Sequence, residues 1–123
     1  NMKRIYIDMD DTICEYTDAI TKSKKINQNQ KYPQSQWGFF LGLEPYEGAI
    51  EGLRKLEEKY DVWILTKPST KNLNCYTEKA KWIYDYFGQD IVDKLILWPF
   101  YYPIMFFMKE VRLCLDLECR NLL

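Results

Sequence analysis

Hydrophobic and polar positions along the chain fall into blocks of two different periods. Residues 3 to 7, KRIYI, form a short apolar, partly β-branched run that stops abruptly at Asp8, Asp10 and Asp11, the pattern of a buried strand opening onto a polar edge. Residues 14 to 47 change character, with an amphipathic start, a Lys/Asn/Gln-rich middle and an aromatic cluster at Trp37, Phe39 and Phe40. This stretch reads as an insertion, a small helical cap outside the sheet. Ala49, Ile50, Leu53, Leu56 and Tyr60 then recur at helical spacing, with Arg54, Lys55, Glu57, Glu58 and Lys59 opposite them, which predicts an amphipathic helix.

A second apolar run, DVWILT, ends at Thr66 and is followed by the turn-like KPST. Beyond it Tyr76, Ala80, Ile83 and Phe87 keep helical spacing, Asn72 or Asn74 suits an N-cap, and Gly88 suits a helix terminator. Residues 94 to 98 give a third strand. Apolar strands alternating with amphipathic helices predict an α/β fold with a parallel sheet and helices on both faces. Ligands in such sheets bind at the carboxyl ends of the strands, where Asp8, Asp10 and Thr66 would converge.

Composition narrows the chemistry. The 123 residues suit one domain, 1–123, and the formal charge of −1, from 17 basic and 18 acidic side chains, favours neither nucleic acid nor an anionic membrane as partner. No histidine is present, which removes imidazole bases and His-containing triads and leaves carboxylates, lysine, hydroxyls and thiols. Cys14, Cys75, Cys114 and Cys119 form no CxxC pair, as expected of reduced thiols in a cytoplasmic protein. No basic-then-apolar leader precedes the first strand, in keeping with that location. The longest uncharged run, Leu95 to Met108, contains Pro99 and Pro103 and is shorter than the ~20 residues that span a bilayer. An apolar, aromatic segment of this kind leads to an expectation of self-association as a homodimer.

Asp8 and Asp10 are two apart at a strand end, so in an extended chain both carboxylates point the same way. Such a pair can chelate Mg²⁺, which prefers hard oxygen ligands and retains several waters. One carboxylate can then attack phosphorus while the other handles protons. The competing reading is an acidic loop in which Asp10 or Asp11 caps the next helix. For Lys79 the choice lies between reaching a bound phosphate and standing solvated on a helix face. The basic run Lys22, Lys24 and Lys25 reads as a solvated face.

The string IYIDMDDT matches the hhhhDxDx[TV] signature of the haloacid dehalogenase (HAD) superfamily, and WILT supplies the Thr of its second motif. With FFLGLEPYEGAIEGLRKLEEKYDVWILT and PSTKNLNCYTEKAKWIYDYFG, residues 2 to 97 resemble the 5'(3')-deoxyribonucleotidase family. The resemblance implies a HAD-like Rossmannoid core with a small helical cap inserted after the first strand. It also implies Mg²⁺-dependent hydrolysis of deoxyribonucleoside monophosphates through an aspartyl-phosphate. Asp8 would be the nucleophile and Asp10 the general acid and base, with the Asp8 side chain and the Asp10 backbone carbonyl binding Mg²⁺. Thr66 would donate to the phosphate oxygens, and Tyr16, Trp37, Phe39 and Phe40 would contact the nucleoside, with ordinary core as the competing reading for each of these aromatics.

The resemblance stops near residue 98. Where the family has a charged turn bearing a phosphate-binding lysine and a strand ending in paired aspartates, residues 98–123 read WPFYYPIMFFMKEVRLCLDLECRNLL. Two explanations stay open. One is a frameshift or similar alteration near residue 98. The other is a divergent, genuine ending in which VRLCLDLE is a strand delivering Asp116 or Glu118 to the metal and Lys109 replaces the lysine. Alternative functions are a HAD phosphatase for another small phosphomonoester, or a truncated inactive relative acting as a binding module.

Overall fold

The computed structural model describes residues 2–99 and the strand pair at 113–114. Strand β1 (Lys3–Ile7) is followed by helix α1 (Tyr16–Lys22), a 3₁₀ turn at Pro33–Ser35, helix α2 (Ala49–Glu57) and strand β2 (Tyr60–Thr66). Helix α3 (Cys75–Phe87), the short helix α4 (Gln89–Val92), β3 (Leu95–Leu97) and β4 (Leu113–Cys114) complete the described elements.

The named strands among the described residues pair in parallel, in the order β3-β2-β1-β4. Consecutive residues of a strand face opposite sides of a sheet. Ile5, Tyr6 and Ile7 on β1 and Ile64, Leu65 and Thr66 on β2 are all buried, so both faces are covered, as parallel sheets require. Register places Ile7 beside Ile64, which brings the residues just after β1 level with the last residues of β2. β2 lies on one side of β1 and β4 on the other. The strand order therefore reverses at β1, and the crevice at its carboxyl end is the position where open α/β sheets take ligands.

The core joins Ile5, Ile7 and Met9 to Val62 and Ile64, to Leu53 and Leu56 of α2, and to Trp82, Ile83 and Phe87 of α3. Phe39, Phe40 and Leu43 belong to the same cluster. The end of the expected cap insertion, 14–47, thus packs as core, while α1 and the 3₁₀ turn bury no residue completely. Gly88, at φ 90°, ends α3 as its spacing predicts, and its N–H bonds the Tyr84 carbonyl at 2.9 Å. Asn74 occupies the N-cap position of α3 without a side-chain cap bond.

The buried face of α3 is rotated from the predicted one. Tyr76 and Ala80 are only partly buried. Cys75, Glu78, Lys79, Trp82, Ile83 and Phe87 form the inward stripe.

Leu113 and Cys114 pair with Tyr6 and Ile7, so two residues of VRLCLDLE run as a strand beside β1. Lys109, Asp116, Glu118 and residues 100–108 of the apolar aromatic run on which the dimer expectation rests lie outside the described residues. No helix among the described residues is long and apolar enough to cross a membrane.

Candidate active site

The loop after β1 is built around one carbonyl. Met9 is fully buried, and its C=O accepts the N–H groups of Thr12, Ile13 and Cys14 at 3.2, 3.0 and 3.3 Å. Asp11 closes the turn with φ 56°, a left-handed conformation that Asp and Asn adopt more readily than other side chains. Asp8, partly buried, accepts the Met9 N–H on Oδ1 at 2.9 Å. The nucleophile candidate is therefore held by its own neighbour in a loop with little freedom.

Lys79 reaches this loop from α3. Its side chain is 0% exposed, and its ammonium donates to Asp10 Oδ2 at 2.9 Å, to Thr66 Oγ1 at 2.6 Å and to the Lys67 carbonyl at 3.0 Å. An ammonium has three N–H groups, and all three are used. The solvated alternative for Lys79 does not hold. Thr66 accepts from Lys79, which leaves its own O–H to donate to another oxygen. Asp10, 26% exposed, stands between the buried cation and solvent and also accepts a weak bond from Cys14 Sγ at 3.8 Å. Burial raises the Cys14 thiol well above its ordinary range, with the Asp10 charge adding to the effect. Cys75 is raised for the same first reason. Neither thiol is a ready nucleophile.

The structure thus brings Asp10, Thr66 and Lys79 into direct contact at the strand ends, with Asp8 one residue beyond β1. The aromatics divide. Phe39 and Phe40 are buried in the core cluster, packed edge-to-face at 5.0 Å between ring centroids. The Phe40 ring centre is 5.2 Å from Lys79 Nζ, so this ring walls the buried cation. Tyr16 stacks on Phe40 at 6.0 Å and stays partly exposed. Its partial burial pushes the phenol up to about 12, assisted by the charge of Asp10, so at neutral pH it is an uncharged donor and a stacking surface. Trp37 is 81% exposed. Of these four, Tyr16 and Trp37 keep exposed aromatic surface, and Phe39 and Phe40 lie beneath Tyr16.

Asp8 and Asp10 supply hard oxygen donors of the type Mg²⁺ takes, and with waters completing its shell this ion needs only one or two carboxylates. Among the described residues no group of three or more His, Cys, Asp or Glu is placed to hold a metal. The donor set fits Mg²⁺ and not a closed structural site.

The capping reading of the acidic run holds for Asp11. Asp11 Oδ1 accepts the N–H groups of Tyr16 and Thr17 at 3.0 and 2.8 Å, and its Oδ2 accepts the Thr17 hydroxyl. It caps α1 from outside the helix and fastens that helix to the loop after β1. An Asp11→Ala variant is expected to lose about 1 to 2 kcal/mol in denaturant unfolding, from the lost cap and the unfavourable φ. Asp11→Asn keeps an acceptor and tolerates the backbone, so it should fall within about 0.5 kcal/mol of the parent.

No family profile matches the chain. Individual proteins do. Over 62 residues it is 39% identical to the human protein "5'(3')-deoxyribonucleotidase, cytosolic type", a match covering 49% of this chain and 31% of the human one. It is 36% identical over 61 residues to the human mitochondrial 5'(3')-deoxyribonucleotidase, covering 48% of this chain and 27% of that protein. A candidate 5'(3')-deoxyribonucleotidase of Vibrio phage KVP40 is 28% identical over 96 residues, 76% of this chain and 56% of the phage protein. The chain spans between about a quarter and just over half the length of these relatives. These relatives share one name, and over the matched residues the chain is similar to 5'(3')-deoxyribonucleotidases.

Proposed function

We propose that this chain carries the hydrolytic centre of a Mg²⁺-dependent phosphatase acting on deoxyribonucleoside monophosphates. The observation that supports it most directly is the Lys79 ammonium, buried and shared between Asp10 and Thr66, next to Asp8 at the carboxyl end of β1. A phosphoryl group needs in-line positioning and compensation of charge on its equatorial oxygens more than it needs covalent chemistry. Thr66 O–H and Lys79 supply a donor and a cation for those oxygens. The cation that the resemblance would place after the third strand is then provided from α3.

In this reading Asp8 attacks phosphorus, and the bond to the leaving alkoxide breaks as Asp10 delivers a proton to it. The products are the nucleoside and an aspartyl-phosphate on Asp8. Asp10, now a carboxylate, takes a proton from water, which attacks the aspartyl-phosphate and releases inorganic phosphate. Mg²⁺ held by the Asp8 carboxylate and the Asp10 backbone carbonyl would neutralise phosphate charge when bound. Tyr16 and Trp37 offer faces on which a base can stack, worth about 1 to 3 kcal/mol per base.

The test compares turnover of dUMP and dTMP with that of sugar phosphates at equal Mg²⁺. The nucleotides are expected to be preferred by at least about tenfold in kcat/KM, the size of one stacking contact. A preference for sugar phosphates rejects the nucleotide assignment.

A further inference from the structure

The cap segment from Gln34 to Phe40 is tied to α3 and its approach by long-range bonds. Asn72, buried, donates from Nδ2 to the carbonyls of Gln34 and Gln36, each at 3.3 Å, and its Oδ1 accepts the Asn74 N–H at 3.1 Å at the start of α3. Glu78 Oε1 accepts the N–H of Gly38. Farther along, Trp82 Nε1 donates to the Leu43 carbonyl at 2.7 Å. On the other side the Gln36 side chain accepts from the Asn27 N–H and donates to the Asn27 carbonyl, both at 3.0 Å. The tie therefore extends into the polar part of the cap.

Glu78 is an odd choice for a plain anchor. Its Oε2 is buried and has no hydrogen-bond donor among the described residues, and a buried acceptor left unpaired is not explained by stability. Gly38 sits at φ +86° with open space where a Cβ would be, so its backbone conformation, and not crowding, calls for glycine. Trp37 stands between Gln36 and Gly38. Its backbone is captured on both sides while its ring is 81% exposed. Glu78 also precedes Lys79 on the helix, so any shift of this strap against α3 is a shift against the residue that holds Asp10 and Thr66.

We infer that Glu78 and Asn72 are positioning residues that hold the strap 34–40 at a set distance from Lys79, so that the strap, through Trp37, selects for the non-phosphate part of the substrate. This rests on the phosphatase reading above. Two measurements test it, one of which needs no turnover. In hydrogen exchange of the full chain, Glu78→Ala is expected to speed exchange over residues 36–40 by about tenfold, with β1 and β2 unchanged. Glu78→Gln, which keeps an acceptor for the Gly38 N–H, should restore protection to within about threefold of the parent. Unchanged exchange in Glu78→Ala overturns the inference, and Asn72→Ala gives the same readout if Glu78→Ala fails to fold.

In steady-state kinetics with Mg²⁺, Glu78→Ala is expected to raise KM for dUMP about tenfold with kcat nearly unchanged. Both constants for p-nitrophenyl phosphate, which has no nucleoside to read, should stay within about twofold. Equal losses on both substrates overturn the inference. A parent protein that turns over neither compound rejects the phosphatase reading instead, and the exchange result still decides whether the strap is held.

Discussion

Replacing Asp8 by Asn is expected to lower turnover of dUMP by about 10⁴ to 10⁶-fold, the scale on which removal of a covalent nucleophile acts. The substitution is nearly isosteric. Asn retains an Oδ1 that can accept the Met9 N–H, so the loop built around the Met9 carbonyl should survive and unfolding free energy should change by less than about 1 kcal/mol. Loss of rate without loss of fold is therefore the signature. Turnover within tenfold of the parent would remove Asp8 as the nucleophile, and intact-mass analysis of acid-quenched wild-type enzyme offers a second view, because only a chain with Asp8 should carry a transient phosphoryl group.

Lys79→Met should damage both stability and rate. Methionine matches the length of lysine but donates nothing, so Asp10, Thr66 and the Lys67 carbonyl lose a shared donor in a site where Lys79 is fully enclosed. Breaking a buried pair typically costs about 3 to 5 kcal/mol; the lower end, about 3 kcal/mol, is expected because Asp10 keeps 26% exposure to solvent. Turnover should fall a further ~10² to 10³-fold per folded molecule, as for other groups aimed at developing charge. The double variant Lys79→Met with Asp10→Asn separates the two effects. Removing both charges should recover much of the stability and none of the rate. A change in unfolding free energy below about 0.5 kcal/mol for Lys79→Met would show that the ion pair does not form in solution.

Much of the sheet was legible because its signals are local. KRIYI and DVWILT are apolar runs bounded by charged or turn residues, and both form parallel strands within one residue of their expected limits. Asp8, Asp10 and Thr66 were legible for the same reason, since a parallel sheet brings the carboxyl ends of neighbouring strands together. Lys79 was harder. Its charge suggests a solvated face, yet it falls every fourth residue with Cys75, Ile83 and Phe87, and that spacing marks a core position. Tyr76 and Ala80 misled the choice of face because Tyr and Ala are tolerated at partly buried sites, whereas the polar stripe Glu78 and Lys79 carries no hydrophobic signal.

Other parts depended on tertiary partners that periodicity does not encode. Asn72 suited an N-cap by type, but its side chain bridges from the start of α3 to the carbonyls of Gln34 and Gln36. Phe39 and Phe40 had equal claim to a nucleoside pocket and to the core by composition alone. Their burial comes from packing against core residues distant in sequence, which no short window of sequence reports. Capping of the next helix was legible for Asp10 or Asp11 alike, and the left-handed backbone at Asp11 is what assigns the role to that residue.

A cation with every proton already committed cannot simply add a guest. Any anion that bonds to Lys79 takes an N–H from Asp10, from Thr66 or from the carbonyl of Lys67, so capture is an exchange whose strength is a difference between old and new partners. A singly charged, weakly basic anion offers little more than the carbonyl it would displace, whereas a dianion does. Discrimination between the two thus begins with what the ammonium must give up.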